Sequence, residues 1–247
     1  MKSHFFAYIS RMRFIQRWAL MRNTAPENVQ EHSHQVAVLA HALAVIRNEK
    51  FGGRLDPGAV AVAALYHDAS EILTGDMPTP IKYDNPAIRN AYKDVEAVAE
   101  GKLLHMLPPE LQGVYGPILT QSDPEVRQVV KAADKLSAYI KCVEELKAGN
   151  NEFRQAAGQT RKALEGYELP EVTYFLETFM DSFSLTLYML NFLQIPTLPT
   201  YVGLALTLFF VDLLVAKFHL NYLALLKQFL VRFELSLSFP DFLISLN

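Results

Sequence analysis

Residues 64–71 of the chain read Ala-Leu-Tyr-His-Asp-Ala-Ser-Glu, an apolar run that passes directly into a histidine and two acids. We predict that these residues belong to a helix from about Asp56 to Leu73. Asp56 is a suitable N-cap, and Pro57 suits the first turn because its missing N–H would have no partner there. The helix would therefore carry its polar residues near its C-terminal end.

Three polar side chains of this helix are predicted to lie on or near one face. His67 and Glu71 are four positions apart and would stack along the helix, whereas Asp68 lies about 100° around the axis. A buried imidazole or carboxylate is costly unless it is paired or binds a metal ion. A His-Asp dipeptide alone occurs by chance, so its meaning depends on the neighbouring helices.

Two further helices each contribute one polar residue at the buried face or its edge. His32 lies four positions before Val36, which begins an amphipathic stripe. Asp134 lies one turn after Val130, in a second stripe that continues to about residue 143. The order His, His-Asp, Asp on successive helices is more specific than any of its parts.

We expect these residues to hold one divalent transition metal ion, such as cobalt or manganese. The predicted ligands are His32, His67, Asp68 and Asp134. Imidazole and carboxylate groups suit borderline divalent ions, and four protein ligands would leave positions for water and substrate. The single cysteine, Cys142, excludes a thiolate cluster or a disulfide framework within the chain.

Helical periodicity without sustained alternation of period two predicts an all-α fold, a helical bundle around the metal site. We assign residues 1–187 to this domain and residues 188–247 to a separate hydrophobic C-terminal extension. The extension contains three basic and three acidic residues, out of 23 basic and 26 acidic in the chain. The two parts therefore follow different composition rules.

The role of the extension stays open at this point. Its longest apolar run, residues 202–216, is interrupted by Asp212, whereas a membrane-crossing helix needs about 20 predominantly apolar residues. It could supply extra helices that pack on the domain, associate with a membrane, or be unrelated to the domain.

Charge and the N-terminus limit the other partners and the location. The formal net charge of −3 argues against binding of a nucleic-acid polymer, which requires a basic surface. No apolar stretch accompanies the N-terminal arginines, so no signal peptide is predicted and a cytoplasmic location is expected.

The motifs resemble those of the HD-domain superfamily of metal-dependent phosphohydrolases, and within it the bacterial 5′-deoxynucleotidase family. The resemblance covers about residues 1–187, and the extension departs from it. The matching segments are RW (17–18), NVQEHS (28–33), YHDASE (66–71), TGDMPTPIK (74–82), ADKL (133–136) and EELKAGNNEF (144–153).

This resemblance implies removal of the 5′-phosphate from deoxyribonucleoside monophosphates, with loose base selectivity, discrimination against ribonucleotides, and a homodimeric enzyme. It implies catalytic roles for Glu71, as acceptor of the proton of the attacking water, and Arg17, as the phosphate clamp. Trp18 would wall the C2′ side of the sugar, although composition alone favours a core anchor. Asp76 would accept a hydrogen bond from the 3′-hydroxyl. The remaining substrate-binding residues implied are His32, Thr79, Pro80, Ile81 and Lys82.

Two other functions remain compatible with these motifs. The chain could be another HD phosphohydrolase that acts on nucleoside triphosphates or cyclic nucleotides with the same ligands. It could also be a non-catalytic, membrane-associated protein that acts through its extension. The spacing from Arg17 to His32 and the Thr79–Lys82 segment favour the monophosphate substrate.

Overall fold

The structure, a computed structural model, describes residues 2–82 and 84–193, and within them it contains helices but no β-strand. The α-helices are α1 Phe5–Ile9, α2 Val29–Phe51, α3 Pro57–Leu65, α4 Glu71–Thr74, α5 Thr79–Lys82, α6 Pro86–His105, α7 Pro109–Thr120, α8 Pro124–Lys147, α9 Arg154–Glu165, α10 Pro170–Phe179 and α11 Leu187–Leu193. Short 3-10 helices span Ser10–Phe14, Asn151–Phe153 and Met180–Ser184. The predicted all-α class is confirmed.

The chain divides into two compact units, Met1–Leu185 and Thr186–Asn247. The first unit contains α1 to α10 and the second begins with α11. The predicted role of the C-terminal extension concerns residues that, beyond Leu193, lie outside the described part of the chain. No helix within residues 2–82 and 84–193 is long and apolar enough to cross a membrane.

The main core of the first unit is formed by α2, α3, α8 and α10. Fully buried aliphatic side chains from these helices pack together, and the largest are Leu43, Leu136 and Ile140. The two long helices start with side-chain caps. Asn28 and Glu31 form a capping box on α2, and Asp123 accepts hydrogen bonds from the first turn of α8. These caps fix the registers that place His32 and Asp134.

The predicted helix from Asp56 to Leu73 is wrong in its second half. Its start is confirmed, because Asp56 Oδ1 accepts from Gly58 N at 2.8 Å. However, α3 ends at Leu65, and the chain turns through residues 66–70 before α4 begins. Backbone bonds in this turn span three residues, as from His67 N to Ala64 O at 3.3 Å. The tighter turn rotates the polar side chains off the helical face that regular periodicity predicted.

Candidate functional site

Four predicted ligands meet at the turn between α3 and α4, although they come from three parts of the chain. His67 Nε2 lies 3.1 Å from Asp68 Oδ2, and His32 Nε2 lies 3.6 Å from the same oxygen. Asp134 Oδ1 lies 3.1 Å from His32 Nε2. The ligand atoms of His32, His67 and Asp68 all lie within 4.8 Å of one another, and Asp134 joins this group through its contact with His32.

Both imidazoles are held by their Nδ1 atoms. His67 Nδ1 lies 2.7 Å from Ala64 O, and a carbonyl can only accept, so Nδ1 carries the proton. His32 Nδ1 lies 3.2 Å from Ser137 Oγ, which itself donates to Gln35 Oε1 at 2.8 Å. The hydroxyl proton is thus used, and Ser137 accepts from His32. In the neutral form of each ring, Nε2 therefore carries a lone pair that is directed into the cluster.

The Nε2 atoms of His32 and His67 fit metal ligation. Both are buried and have no hydrogen-bond partner, even though carboxylate oxygens lie close to them. Two lone pairs that converge with two carboxylates form a donor set that a divalent cation satisfies, and hydrogen bonds on the far side of each ring are typical of metal-bound histidines. The geometry therefore supports a metal-binding group at this position.

Charges within the cluster keep its acids ionised. Burial raises the pKa of Asp68, but the neighbouring His67, His32 and Arg17 outweigh burial and hold that pKa well below its usual value. Burial also raises the pKa of Asp134, and the proximity of His32 is the main cause that outweighs burial and holds that pKa well below its usual value. Burial, supported by the charge of Arg17, lowers the pKa of His32 and favours its neutral form. The pKa of His67 is raised instead, because Asp68 outweighs burial, so His67 would release a proton when a cation binds. Neutral imidazole and ionised carboxylate are the forms that bind metals.

Glu71 is the first residue of α4 and not a residue on the same helix as His67. Its side chain is 5% exposed, and its Oε2 atom is buried without a hydrogen-bond partner. Burial raises its pKa to about 10, and the carboxylates of Asp68 and Asp76 add to the effect. A protonatable group thus lies beside the predicted ligands.

Arg17 and Trp18 are held by a residue that sequence reasoning missed. Glu27 Oε2 accepts from Arg17 Nε at 3.1 Å and from Trp18 Nε1 at 2.8 Å. Arg17 Nη1 also lies 3.4 Å from Asp68 Oδ2, which brings the guanidinium to the edge of the cluster. The Trp18 ring packs against Phe153 with 5.3 Å between ring centroids. Trp18 is therefore half-buried, in contact with both the core and the site.

A cavity of about 270 Å³ opens above the cluster. The predicted site residues that line it are Arg17, Trp18, Asp68, Glu71, Asp76, Thr79, Pro80, Lys82 and Asp134. Ile81 is not among the lining residues, and its side chain is 46% exposed. His32 and His67 also do not line the cavity, and their side chains are only 0% and 7% exposed. The cavity further includes Met21, Lys135, Gln159 and Thr160, which the sequence pattern did not single out.

Lys82 lies at the cavity edge on α5 and contacts α6. Its Nζ atom is 2.8 Å from Glu96 Oε1 and 4.6 Å from the centre of the Tyr92 ring. These contacts attach the short helix α5 to α6. Asp76, on the loop that leads to α5, has a raised pKa, mainly because of burial. Residues of the loop and of α5 line the cavity together with Trp18 and the residues that follow it.

The chain is similar to known proteins over the domain that contains this site. A family model described as 5′-deoxynucleotidase YfbR-like matches residues 4–183. A 5′-deoxynucleotidase of Vibrio parahaemolyticus is 55% identical over 188 residues, which is 75% of this chain and 97% of that protein. One of Yersinia pestis is 54% identical over 187 residues, 75% of this chain and 95% of that protein.

The fold is also similar to that of a solved HD-domain phosphohydrolase from Listeria innocua. The TM-score is 0.65 at 24% identity, over 73% of this chain and 88% of that chain. This structural likeness concerns the fold. It agrees with the HD-domain bundle that the sequence predicts.

Proposed function

Because this chain belongs to the family of YfbR-like 5′-deoxynucleotidases, we propose that it is a metal-dependent phosphomonoesterase that removes the 5′-phosphate from deoxyribonucleoside monophosphates. One observation in the structure carries the proposal. Two imidazoles with buried, unpartnered Nε2 atoms meet two carboxylates beside a cavity that the partly exposed guanidinium of Arg17 also lines. Such a site can bind a cation and a phosphate side by side.

His32, His67, Asp68 and Asp134 would hold the ion, for which cobalt and manganese are suitable choices. When bound, a divalent ion offsets the charge of the phosphate and acidifies a water molecule. Asp68 has a second contact with Arg17, so the ligand set and the phosphate clamp share one carboxylate. This arrangement would keep the phosphate close to the ion.

Arg17 would bind the phosphate oxygens. Contacts of Nε with Glu27 and of Nη1 with Asp68 fix the plane of the guanidinium before substrate arrives. A fork that is already oriented can bind two phosphate oxygens and follow the charge that spreads over them during transfer. His32 would take part in substrate binding indirectly, as a ligand of the metal ion next to the phosphate.

Glu71 would accept the proton of the attacking water. Because burial raises its pKa to about 10, it can do so only after the charge of the bound cation has lowered that pKa and ionised the carboxyl group. It has an unpartnered buried oxygen, it lines the cavity, and its backbone N–H is bonded to Asp68 O at 3.0 Å. The carboxylate is thereby fixed next to a metal ligand. A base in this position can receive a proton from a water molecule that lies between it and the phosphate.

The sugar would lie between Trp18 and the loop that carries Asp76. The Trp18 ring presents an apolar surface on which a 2′-hydroxyl would lose its water partners, and this would exclude ribonucleotides. Asp76 would accept from the 3′-hydroxyl, and Thr79, Pro80, Ile81 and Lys82 would border the entrance. Base selectivity would be loose if these residues contact only the sugar and phosphate and not the base.

We further propose that the enzyme acts in the cytoplasm as a homodimer and does not bind nucleic-acid polymers. Light scattering of the purified chain tests the dimer. Fractionation of the full chain against a chain cut after Leu187 tests whether the extension attaches it to a membrane, which was the basis of the non-catalytic alternative.

A metal-reconstituted assay of phosphate release tests the proposed function. The metal-depleted chain is loaded with Co²⁺ or Mn²⁺ and given deoxyribonucleoside monophosphates, ribonucleoside monophosphates, deoxynucleoside triphosphates and cyclic nucleotides. We expect activity on the deoxy monophosphates that disappears with a chelator. Activity confined to triphosphates or cyclic nucleotides would favour the other HD phosphohydrolases instead.

A further inference from the structure

One wall of the cavity is a loop without regular secondary structure, residues 18–25, here called the wall loop. Its first half, Trp18 to Met21, lines the cavity. Its second half, Arg22 to Ala25, contacts the C-terminal end of α8 and the turn that follows it. The loop therefore joins the site to a region that contains no predicted site residue.

Glu145 is the centre of this attachment. Its side chain is 1% exposed and accepts hydrogen bonds from Thr24 N at 2.9 Å, Thr24 Oγ1 at 2.7 Å and Ala25 N at 3.2 Å. Lys141, one turn earlier on α8, forms an ion pair with Glu145 and donates to Ala25 O at 2.5 Å. A buried ion pair is costly, and here each partner is satisfied by backbone groups of the wall loop.

Asn150 makes the second attachment. Its Nδ2 atom donates to Arg22 O at 2.6 Å and to Glu145 Oε2 at 2.9 Å. The chain reaches this position because Gly149, with φ of +87°, ends α8 in the left-handed region that favours glycine. Glu152 Oε1 accepts from Arg22 N at 3.2 Å, and Phe153 packs against Trp18. The EELKAGNNEF segment is thus in contact with the wall loop at several points.

The backbone conformation of Trp18 depends on the attachment of the wall loop. Its φ is +59°, in a region that side chains with a Cβ atom disfavour. A residue keeps such a conformation only while the surrounding contacts hold it there. For Trp18 these contacts are Glu27, Phe153 and the attached loop.

We propose that Glu145 and Asn150 are positioning residues that hold the wall loop, and through it the Trp18 ring, in the place where it discriminates between deoxyribose and ribose. The sugar-selectivity part of this inference rests on the function proposed above. The positioning part concerns this chain alone. Neither residue touches the cavity, so both act through Trp18.

Trp18 is the only tryptophan of the chain, so its fluorescence reports the wall loop directly. The test variants are Asn150→Ala, which removes the bond to Arg22, and Thr24→Val, which removes one hydroxyl without a change of shape. The matched control is Asn48→Ala. Asn48 bonds Leu55 O at 2.8 Å and Leu55 N at 3.0 Å and so holds a different loop. All variants are prepared as the full chain with Co²⁺ and compared in metal content and melting temperature.

We expect both test variants to increase acrylamide quenching of Trp18, to raise KM for a deoxy monophosphate about three- to tenfold, and to lower the deoxy-to-ribo ratio of kcat/KM, with kcat within about twofold. The Asn48→Ala control should leave quenching and the deoxy-to-ribo ratio unchanged at a similar loss of melting temperature.

Unchanged quenching in both test variants would overturn the proposal. A loss of kcat at constant KM and constant sugar ratio would also overturn it. If the wild-type chain hydrolyses no monophosphate, the proposed function fails, and the quenching result still decides whether the attachment positions Trp18.

Discussion

The Nδ1 atom of His32 lies 3.2 Å from Ser137 Oγ, although the two residues are 105 positions apart in the sequence. Ser137 lies on α8 three positions after Asp134, so one face of this helix carries both a proposed ligand and the residue that orients another. Since Ser137 also donates to Gln35 on α2, the two long helices are joined by a hydrogen-bond relay behind the metal site.

Ser137→Ala should weaken metal binding about tenfold or more, because His32 would lose the partner that fixes its ring and tautomer. Competition between the protein and a chromophoric chelator for Co²⁺ measures this affinity. Ser122→Ala, at an exposed position before α8, is the control and should bind metal normally. Equal affinity of both variants would show that the ring is fixed by packing alone.

Glu71→Ala should abolish turnover, by at least about 100-fold, and leave the metal content unchanged. The reason is that Glu71 lines the cavity as a proposed proton acceptor but is not one of the four converging ligands. Metal analysis together with initial rates tests this. Loss of bound metal would mean that Glu71 supports the ligands, and Glu177→Gln, on the exposed side of α10, controls for the general loss of an acid.

The helical class, the cap of α3 and the convergence of the His and Asp residues could be predicted from the sequence. Each of these depends on local periodicity or on the residue types at a helix start, such as Asp56-Pro57. The turn at residues 66–70 could not, because it depends on a bond from the His67 ring to Ala64 O that periodicity does not encode. The four proposed ligands therefore come together along a backbone path that differs from the predicted one.

Of the residues that hold the site residues in place, one could be predicted from the sequence and another could not. Ser137 could have been found, since a serine three positions after Asp134 on a buried stripe requires a partner. Glu27 could not, because its two donors are brought together by the path of the wall loop and not by helical spacing. The site residues on helices can thus be predicted from the spacing of residues in the sequence. The positions of those on loops depend on tertiary contacts and cannot be predicted in this way.

Arg17→Lys should lower kcat/KM about 100-fold, because an ammonium group cannot keep contacts with Glu27, Asp68 and two phosphate oxygens at once. Steady-state kinetics with a deoxyribonucleoside monophosphate measure the change. Arg13→Lys, in the same N-terminal segment but exposed, should leave the rate unchanged. Near-normal activity of the Arg17 variant would contradict a clamp that uses two donors.

Trp18→Ala should allow ribonucleoside monophosphates to compete, with a loss of at least about tenfold in the deoxy-to-ribo ratio of kcat/KM. Trp18→Phe keeps an apolar ring but loses the bond to Glu27 Oε2, and its ratio should lie between wild type and the alanine variant. An unchanged deoxy-to-ribo ratio in both variants would contradict the proposal that the Trp18 ring excludes ribonucleotides. A lower ratio in the alanine variant only would show that the ring, and not its hydrogen bond, excludes the 2′-hydroxyl.

Glu145→Gln should destabilise the chain by roughly 3 kcal/mol at neutral pH, because it leaves the buried Lys141 charge without its partner. Burial alone would raise the pKa of Glu145, but hydrogen bonds from Lys141, Asn150 and Thr24 outweigh burial and hold that pKa well below the ordinary 4.5. A folded-state pKa below the unfolded one stabilises the protein above about pH 4.5, and this stabilisation is lost as the pH falls from there toward the folded-state pKa. The difference in the free energy of unfolding between wild type and variant should therefore shrink from about pH 4.5 downwards, as measured by urea denaturation with fluorescence of Trp18.

The control, Glu165→Gln, removes an exposed ion pair of the same spacing. Arg161 is 41% and Glu165 59% exposed, so the loss should cost less than about 1 kcal/mol at every pH. A difference for Glu145→Gln that stays constant from pH 7 to pH 3 would show that the carboxylate charge does not hold the wall loop.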